Sequence, residues 1–256
     1  MAWDDKAQAV LSGDWPADKM PSAAGIESAI APDFPDQITI AFEDLAKAFE
    51  IGEVLYRARI HDDRLRREHF AAHEVGAPPK EKATAGRANR KGEPVLYLAS
   101  DLSTALAEVR AWQGAAVAVS EVAVTRRLNM VNLSEFRAIE SPFFDEMLRW
   151  KVRLLRLFSR LAYDLSKPVM PHEQEVLYRP TQLLAWLIRS NGYDGFLYPS
   201  AMGDGKNIVV FDSTSAEVKT PTYMRVERIG FRAKPLSPLE SIYDNGPYDH
   251  ALSRRT

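Results

Sequence analysis

The sequence predicts an α+β protein that has a mixed sheet core with flanking helices and N- and C-terminal extensions. Short segments with strand-like alternation or wholly apolar residues recur between Val54 and Phe211. Amphipathic helical segments lie between some of them, but strands and helices do not alternate regularly as they do in a doubly wound sheet. At 256 residues the chain is long enough to bury a substantial core.

The composition narrows the classes of function. The absence of cysteine excludes disulfide frameworks, thiolate zinc sites and cysteine nucleophiles, and suits a reducing compartment, so a cytoplasmic location is expected. The acidic start at Met1–Lys6 does not resemble a secretory signal, and no apolar run reaches the roughly 18 residues of a membrane span. A net charge of −2 does not indicate general affinity for nucleic acid or anionic membranes.

The first elements lead to a candidate arginine. Residues 1–53 are interpreted as an N-terminal extension, within which apolar spacing predicts a helix at 42–49. Alternation from Val54 to Arg59 predicts a strand that carries Arg57. The polar residues 64–90 predict a long surface loop of the kind that often forms a functional lid.

The next strand and helix carry a candidate carboxylate. Residues 95–99 predict a short buried strand, and Ser100 or Asp101 is suited to cap the helix that follows. Glu108 lies at the margin of the apolar stripe of that helix, which consists of Leu102, Ala105, Leu106 and Val109.

The remaining elements complete a core at 54–212. Ser141-Pro142 and the acidic residues after it predict the start of a long helix ending near Asp164, and Gly192 suits the end of a helix that begins near Pro180. Residues 213–256 are interpreted as a C-terminal extension whose last part, from about 236, is poorly packed. Strands are predicted at 117–124, 130–133, 195–198 and 207–211, the last two joined by a turn at 202–205.

Several segments in a fixed order resemble the RES domain family. They are Gly86-Arg87-Ala88-Asn89, the strand-to-helix run 94–110, and Gly192-Tyr193-Asp194-Gly195-Phe196-Leu197-Tyr198-Pro199-Ser200, with Tyr56-Arg57 before them and residues 205–211 after them. The resemblance covers about 54–212. It implies a fold similar to ADP-ribosyltransferases, an activity that consumes NAD+, and a toxin neutralised by a helical, Xre-like antitoxin.

The family is named for an arginine, a glutamate and a serine. By motif these correspond here to Arg57, Glu108 and Ser200, and Tyr97 is the aromatic residue of the strand before the helix. The sequence departs from the family pattern at two positions: Ala88 replaces a residue that is usually large, and Arg90 often corresponds to proline.

The chemistry of NAD+ cleavage suits these residue types. The nicotinamide of NAD+ is cationic and leaves as a neutral molecule, so its departure needs no general acid and one carboxylate suffices. Glu108 is expected to bind ribose hydroxyls, stabilise the oxocarbenium-like transition state and orient an acceptor. Whether that acceptor is water, phosphate or a protein side chain stays open, so the enzyme is a glycohydrolase, a phosphorylase or an ADP-ribosyltransferase.

The remaining candidates are expected to bind NAD+. Arginine suits the pyrophosphate, with Arg57 the first choice and Arg87 the second. Tyr97 suits stacking on nicotinamide, and its hydroxyl and that of Ser200 suit the amide or the ribose. The other NAD+-binding candidates are Asn89 and Asn207. Since no Gly-x-Gly-x-x-Gly turn is present, NAD+ is expected as a substrate, and no metal is expected.

Each candidate also has a structural interpretation when taken alone. Arg57 suits an edge strand, Glu108 a solvated helix, Tyr97 a core and Ser200 a turn. The competing functions are an inert binding module of the same fold and, less favoured by the charge, a nucleic-acid-binding protein. Self-association is left open.

Two further patterns have alternative interpretations. His69 and His73 are four residues apart and suit a shared helix face as metal ligands, but no third ligand is indicated. Four arginines at helical spacing are typical of a solvated helix face, and the alternative is a contact for phosphates or an acidic partner; they are Arg149, Arg153, Arg156 and Arg160.

Overall fold

The computed structural model describes residues 34–62, 68–135, 146–167 and 177–230. Its helices are α1 (Phe34–Asp44), α2 (Ala72–Val75), α3 (Leu102–Glu108), α4 (Glu146–Ser166) and α5 (Arg179–Ser190). Its strands are β1 (Ala46–Phe49), β2 (Val54–His61), β3 (Leu96–Ala99), β4 (Ala116–Val124), β5 (Leu128–Asn132), β6 (Gly195–Pro199), β7 (Lys206–Val210), β8 (Ala216–Val218) and β9 (Thr222–Arg225).

In the described part of the chain these strands form one nine-stranded mixed sheet. Its order is β1-β5-β6-β7-β3-β2-β4-β8, and β9 also pairs with β4. The pair β5 and β6 is parallel, and the other pairs are antiparallel. The predicted α+β fold, with a mixed sheet and flanking helices, is confirmed.

The sheet nearly divides between β2 and β3. These strands share one registered pair, Tyr56 with Ala99. On its other side β2 pairs with β4 along all eight residues from Val54 to His61, and β3 pairs with β7 along all four of its own residues. The sheet therefore consists of two well-paired parts joined by a narrow seam, and the seam separates the strands that carry Arg57 and Tyr97.

Apolar side chains bury both faces of the sheet. Helices α1, α4 and α5 contribute Phe42, Phe158 and Leu184 to a core that includes Phe196 and Val209 of the sheet. The opposite face is buried by another cluster, which includes Leu96, Leu128, Met130, Ile208 and Val210. Alternate residues of β7 thus enter different clusters, as strand geometry requires. Helix α3 packs with β2 and β4 in a third cluster beside the seam.

The predicted helix at 42–49 is wrong in its second half. The helix ends at Asp44, and residues 46–49 form β1, in which Ala46 pairs with Val131 and Phe49 with Leu128. Phe42 and Phe49 are both buried, but in different clusters. Pairing with a distant strand therefore overrides a local spacing that looks helical.

Parts of both predicted extensions contact the core. Helix α1 and β1 precede residue 54, and β8 and β9 follow residue 212, yet the three strands all belong to the sheet. The division at 53–54 and 212–213 stays a prediction. The predicted helix start at Ser141-Pro142, the C-terminal part from 236, and the side chains of Arg149 and Arg153 lie outside the described residues. No helix in the described ranges is long and apolar enough to span a membrane.

Candidate functional site

A cavity of about 340 Å³ opens beside the seam between β2 and β3. Five of the residues selected from the sequence line it: Arg57, Arg87, Tyr97, Glu108 and Asn207. The remaining lining includes Tyr56, Gly86, Ala99, Ala105, Val109 and Tyr198. The lining thus combines charged and polar candidate side chains with apolar ones such as Ala99, Ala105 and Val109.

Arg57 places a cation beneath the cavity without a protein anion to balance it. Its Nη1 donates a hydrogen bond of 2.9 Å to the backbone carbonyl of Tyr97, across the seam. Among the described residues no carboxylate forms an ion pair with it. Burial, followed by repulsion from Arg59, lowers the pKa of Arg57 from 12.5 to about 10, against an opposing effect of Tyr97. An anion in the cavity would relieve this unfavourable state.

Glu108 is the last residue of α3, and the way that helix ends fixes its position. Arg110 has a positive φ of 51°. Its backbone N–H donates to the carbonyl of Ala107, and the N–H of Ala111 donates to the carbonyl of Leu106, at 2.8 and 3.3 Å. These two bonds form a Schellman motif with arginine at the position that glycine usually occupies. The chain therefore turns away directly after Glu108 and leaves its side chain at the cavity.

One oxygen of the Glu108 carboxylate is held by two donors. Oε1 accepts hydrogen bonds from Oγ of Ser200 at 2.6 Å and from Nδ2 of Asn207 at 2.7 Å. Within the described ranges Oε2 has no protein donor. The carboxylate is therefore fixed through one oxygen and retains the other for a ligand.

Ser200 has no remaining hydrogen-bonding capacity in this arrangement. Its hydroxyl donates its single hydrogen to Glu108 and accepts from the backbone N–H groups of Met202 and Gly203, both at 3.0 Å. A hydroxyl has one donor and two acceptor positions, so all are used. Ser200 thus contacts the cavity through Glu108.

The loop that carries Ser200 is fixed to the start of α3. The hydroxyl of Ser100 accepts from the N–H of Lys206 at 2.9 Å, and that of Thr104 accepts from the N–H of Gly205 at 3.1 Å. Both hydroxyls donate to Oδ2 of Asp101 at 2.8 Å. Desolvation opposes ionisation of Asp101, but the hydrogen bonds from Thr104 and Ser100 together lower its pKa below the usual value. The predicted cap, Asp101, accepts from the N–H of Thr104 and so joins the helix to the loop.

The hydroxyl of Tyr97 is also engaged by the protein. It donates to Oδ1 of Asn89 at 2.8 Å and accepts from the N–H of Ala88 at 2.9 Å. Burial raises the pKa of Tyr97 to about 12. A Cβ at Gly86 would lie 2.7 Å from this hydroxyl and 2.6 Å from Asn89, so the turn at 86–89 requires glycine there. Asn89 supports Tyr97 from outside the cavity lining.

Arg87 links the cavity rim to the end of α4. Its Nη1 donates to the backbone carbonyl of Asp164 at 3.0 Å, and its guanidinium lies 5.5 Å from the ring centroid of Tyr178. These contacts orient the guanidinium and still leave donors for a second anionic group.

Tyr198 was not selected from the sequence, although it lines the cavity. It is buried, lies beside Asn207 in strand register, and has a pKa raised above the usual range, chiefly by burial. Strand alternation could have identified Tyr198 from the sequence. It lies two residues before Ser200, so the two side chains are expected on the same face of the sheet.

The two alternative patterns have different outcomes. His69 precedes α2, which contains His73, so the two residues do not share a helix face as the metal-site alternative requires. The ring of His69 instead stacks on Tyr223 with centroids 4.0 Å apart. The described residues contain no group of three metal-ligating side chains. Of the arginine stripe, Arg160 is exposed and lies 3.6 Å from Asp164.

Comparison with known proteins identifies the family of this chain. The family model described as RES domain matches residues 54–231. The chain belongs to the RES domain family. A crystal structure of the MbcT-MbcA toxin-antitoxin complex of M. tuberculosis is similar over 74% of this chain and 93% of that chain, with 15% identity and a TM-score of 0.40. No curated protein sequence matches significantly. The RES domain thus includes all four residues that the motif singled out, and it extends past β9.

Proposed function

We propose that this RES domain is a toxin-type enzyme that consumes NAD+ by breaking its nicotinamide–ribose bond. The observation that carries the proposal is the state of Glu108, of which one oxygen is fixed by Ser200 and Asn207. The described residues offer no donor to its other oxygen and no carboxylate partner to Arg57, which lines the same cavity. The sequence resemblance, which implies NAD+ consumption for this family, supports the same substrate.

Glu108 is proposed to act on the ribose. Cleavage builds positive charge on the sugar while the cationic nicotinamide becomes neutral. A fixed carboxylate stabilises that charge more in the transition state than in the ground state, since its hydrogen bonds to ribose hydroxyls strengthen as the charge develops. The open Oε2 is the atom assigned to this contact.

The two arginines of the cavity are proposed to bind the pyrophosphate. Among the described residues half-buried Arg57 has one protein acceptor, the carbonyl of Tyr97, and Arg87 lies at the rim. The volume of about 340 Å³ is at the low end for small-molecule pockets, so the cavity suits the nicotinamide side of NAD+ up to the pyrophosphate rather than the whole dinucleotide. Tyr97 then offers its ring to the nicotinamide, since its hydroxyl is engaged with Asn89.

Ser200 and Asn207 are proposed as positioning residues. Both donate to the same oxygen of Glu108, so they set the direction of the carboxylate before the substrate arrives. A carboxylate held in this way needs little reorganisation during the reaction. This role differs from the substrate contact expected for the Ser200 hydroxyl from the sequence.

The first experiment measures NAD+ loss and nicotinamide release by wild-type protein and Glu108→Gln. A glutamine oxygen can replace Oε1 as acceptor for Ser200 and Asn207, so the variant changes chiefly the charge and the open oxygen. We expect Glu108→Gln to keep NAD+ binding and to lose at least about a hundredfold in turnover. The matched control is Glu217→Gln, since Glu217 is an exposed residue paired with Lys219 on β8. Equal turnover of wild type and Glu108→Gln would remove Glu108 from the mechanism.

The same assay distinguishes the acceptors. A glycohydrolase releases free ADP-ribose, a phosphorylase requires added phosphate, and an ADP-ribosyltransferase transfers label from NAD+ to protein. An inert RES-fold binding module would release no nicotinamide under any of these conditions.

The proposed toxicity and partner are tested in cells. The family resemblance suggests that expression without a helical, Xre-like antitoxin lowers cellular NAD+ and arrests growth, and that Glu108→Gln abolishes both effects. Normal NAD+ and growth in cells that contain folded wild-type protein would contradict the proposed toxin role.

A further inference from the structure

A second cavity, of about 190 Å³, lies behind the turn that borders the first. Gly86 and Arg87 line the first cavity, whereas Ala88, Asn89 and Arg90 line the second. The other walls come from α5, from Phe211 and from the loop before β3, and they include Gln182, Trp186, Arg189 and Glu93. One short turn therefore has a cavity on each side.

The second cavity carries a net positive charge. Nη2 of Arg189 donates to the carbonyl of Phe211 at 3.2 Å, and its guanidinium lies 5.0 Å from the centroid of the Phe211 ring. Among described residues neither Arg189 nor Arg90 has a carboxylate partner for its guanidinium. Among the described lining residues Glu93 is the acidic one, and its Oε2 accepts from the backbone N–H of Arg90 at 3.2 Å. The two arginines and Glu93 together give a net charge of +1, which one monoanion would neutralise.

The other polar and aromatic groups limit the shape of a ligand. Trp186 is half-buried and offers a flat ring. Gln182 uses its amide nitrogen to donate to the carbonyls of Gly86 and Asn89, at 2.8 and 2.9 Å. Its amide oxygen has no donor in the part of the chain that the structure describes. The cavity thus combines an aromatic surface, arginine donors and one open acceptor.

We propose that this second cavity binds an aromatic carboxylate with a single ring. The carboxylate matches the planar fork of arginine, and the ring matches Trp186. The small volume favours one ring over a nucleotide, and Glu93 disfavours a dianion such as phosphate. The inference is independent of NAD+ cleavage, because it concerns different side chains and a different ligand.

Hydrogen bonds through the turn connect the second cavity to the first. Gln182 binds both ends of the turn, and Asn89 accepts from the hydroxyl of Tyr97, whose ring lines the first cavity. A ligand packed against Ala88 and Asn89 holds this arrangement and slows its opening.

The test titrates the full-length protein with benzoate, in the absence of NAD+, and measures tryptophan fluorescence. We expect saturable quenching that Trp186→Phe abolishes. Arg90→Ala and Arg189→Ala should each weaken benzoate at least about tenfold, since each removes a charged hydrogen-bond donor. The control Arg127→Ala, which removes an exposed arginine paired with Glu50, should leave the affinity unchanged.

A neutral probe and hydrogen exchange complete the test. Benzyl alcohol has the ring without the charge and should bind far more weakly than benzoate. Benzoate should also slow amide exchange at Ala88 and Asn89. Arg90→Ala keeps the test decisive if Arg189→Ala fails to fold, because the Arg90 side chain makes no hydrogen bond among described residues. Quenching that survives in Trp186→Phe, or affinity that is unchanged in folded Arg90→Ala, would overturn the proposal.

Discussion

Arg57→Met is expected to make the protein more stable and less able to bind anions. The pKa of Arg57 is lowered from 12.5 to about 10, first by burial. This difference corresponds to roughly 3 kcal/mol against the charged form in the folded state. Loss of the hydrogen bond to the Tyr97 carbonyl offsets about 2 kcal/mol of that. A net gain of about 1 kcal/mol in the free energy of unfolding is therefore expected at pH 7.

The pH dependence has a definite sign. The lowered pKa of this cation means that the folded state disfavours the charge at every pH below about 10. The free-energy cost of the Arg57 charge in the folded state decreases as pH rises from about 10 towards 12.5. The gain in the free energy of unfolding that Arg57→Met gives should therefore shrink in that range.

Urea unfolding, followed by circular dichroism, measures the effect of Arg57→Met. The matched control is Arg225→Met, because exposed Arg225 also donates to a backbone carbonyl, that of Gly114, at 3.0 Å. The control should show no gain. Pyrophosphate should raise the melting temperature of wild type and not that of Arg57→Met, since only wild type has the buried cation. A variant less stable than wild type by about 1 kcal/mol or more would refute the assignment of an uncompensated charge.

Three further substitutions test other parts of the site. Ser200→Ala should lower kcat about tenfold and leave the KM for NAD+ nearly unchanged, since Ser200 acts through Glu108; a larger change in KM than in kcat would contradict the positioning role. Gly86→Ala should lower the free energy of unfolding by about 2 kcal/mol, because its Cβ meets the Tyr97 hydroxyl, and wild-type stability would contradict that contact. Arg110→Gly should raise the free energy of unfolding by about 1 kcal/mol, because glycine adopts the positive φ without strain. Urea unfolding measures this change, and a loss of stability would show that the Arg110 side chain contributes more than its backbone strain costs.

Much of the candidate site is predictable because its components lie in short, local patterns. The cap at Asp101 specifies where α3 begins, and seven residues later Glu108 ends that helix. The strand that carries Arg57 follows from alternation. Each pattern depends on neighbouring residues, so one sequence suffices to locate it.

The remaining features depend on contacts between distant residues. Strand β1 forms because it pairs with β5, and β8 and β9 form beside β4; nothing local specifies these partners. The saturation of the Ser200 hydroxyl likewise requires Glu108, which lies 92 residues away. The departures from the family pattern at Ala88 and Arg90 are visible in the sequence, but they do not reveal that both residues line a second cavity.

The narrow seam between β2 and β3 is also the place where the sheet is expected to separate first. One registered strand pair and the bond from Arg57 to the Tyr97 carbonyl bridge it, whereas neighbouring strands are joined along their length. Fluctuations and pulling forces should therefore separate the two parts of the sheet here before either part unravels. The proposed ligand-binding position would then be the part of the described sheet that separates most easily, and an anion held by Arg57 would hold the two parts of the sheet together.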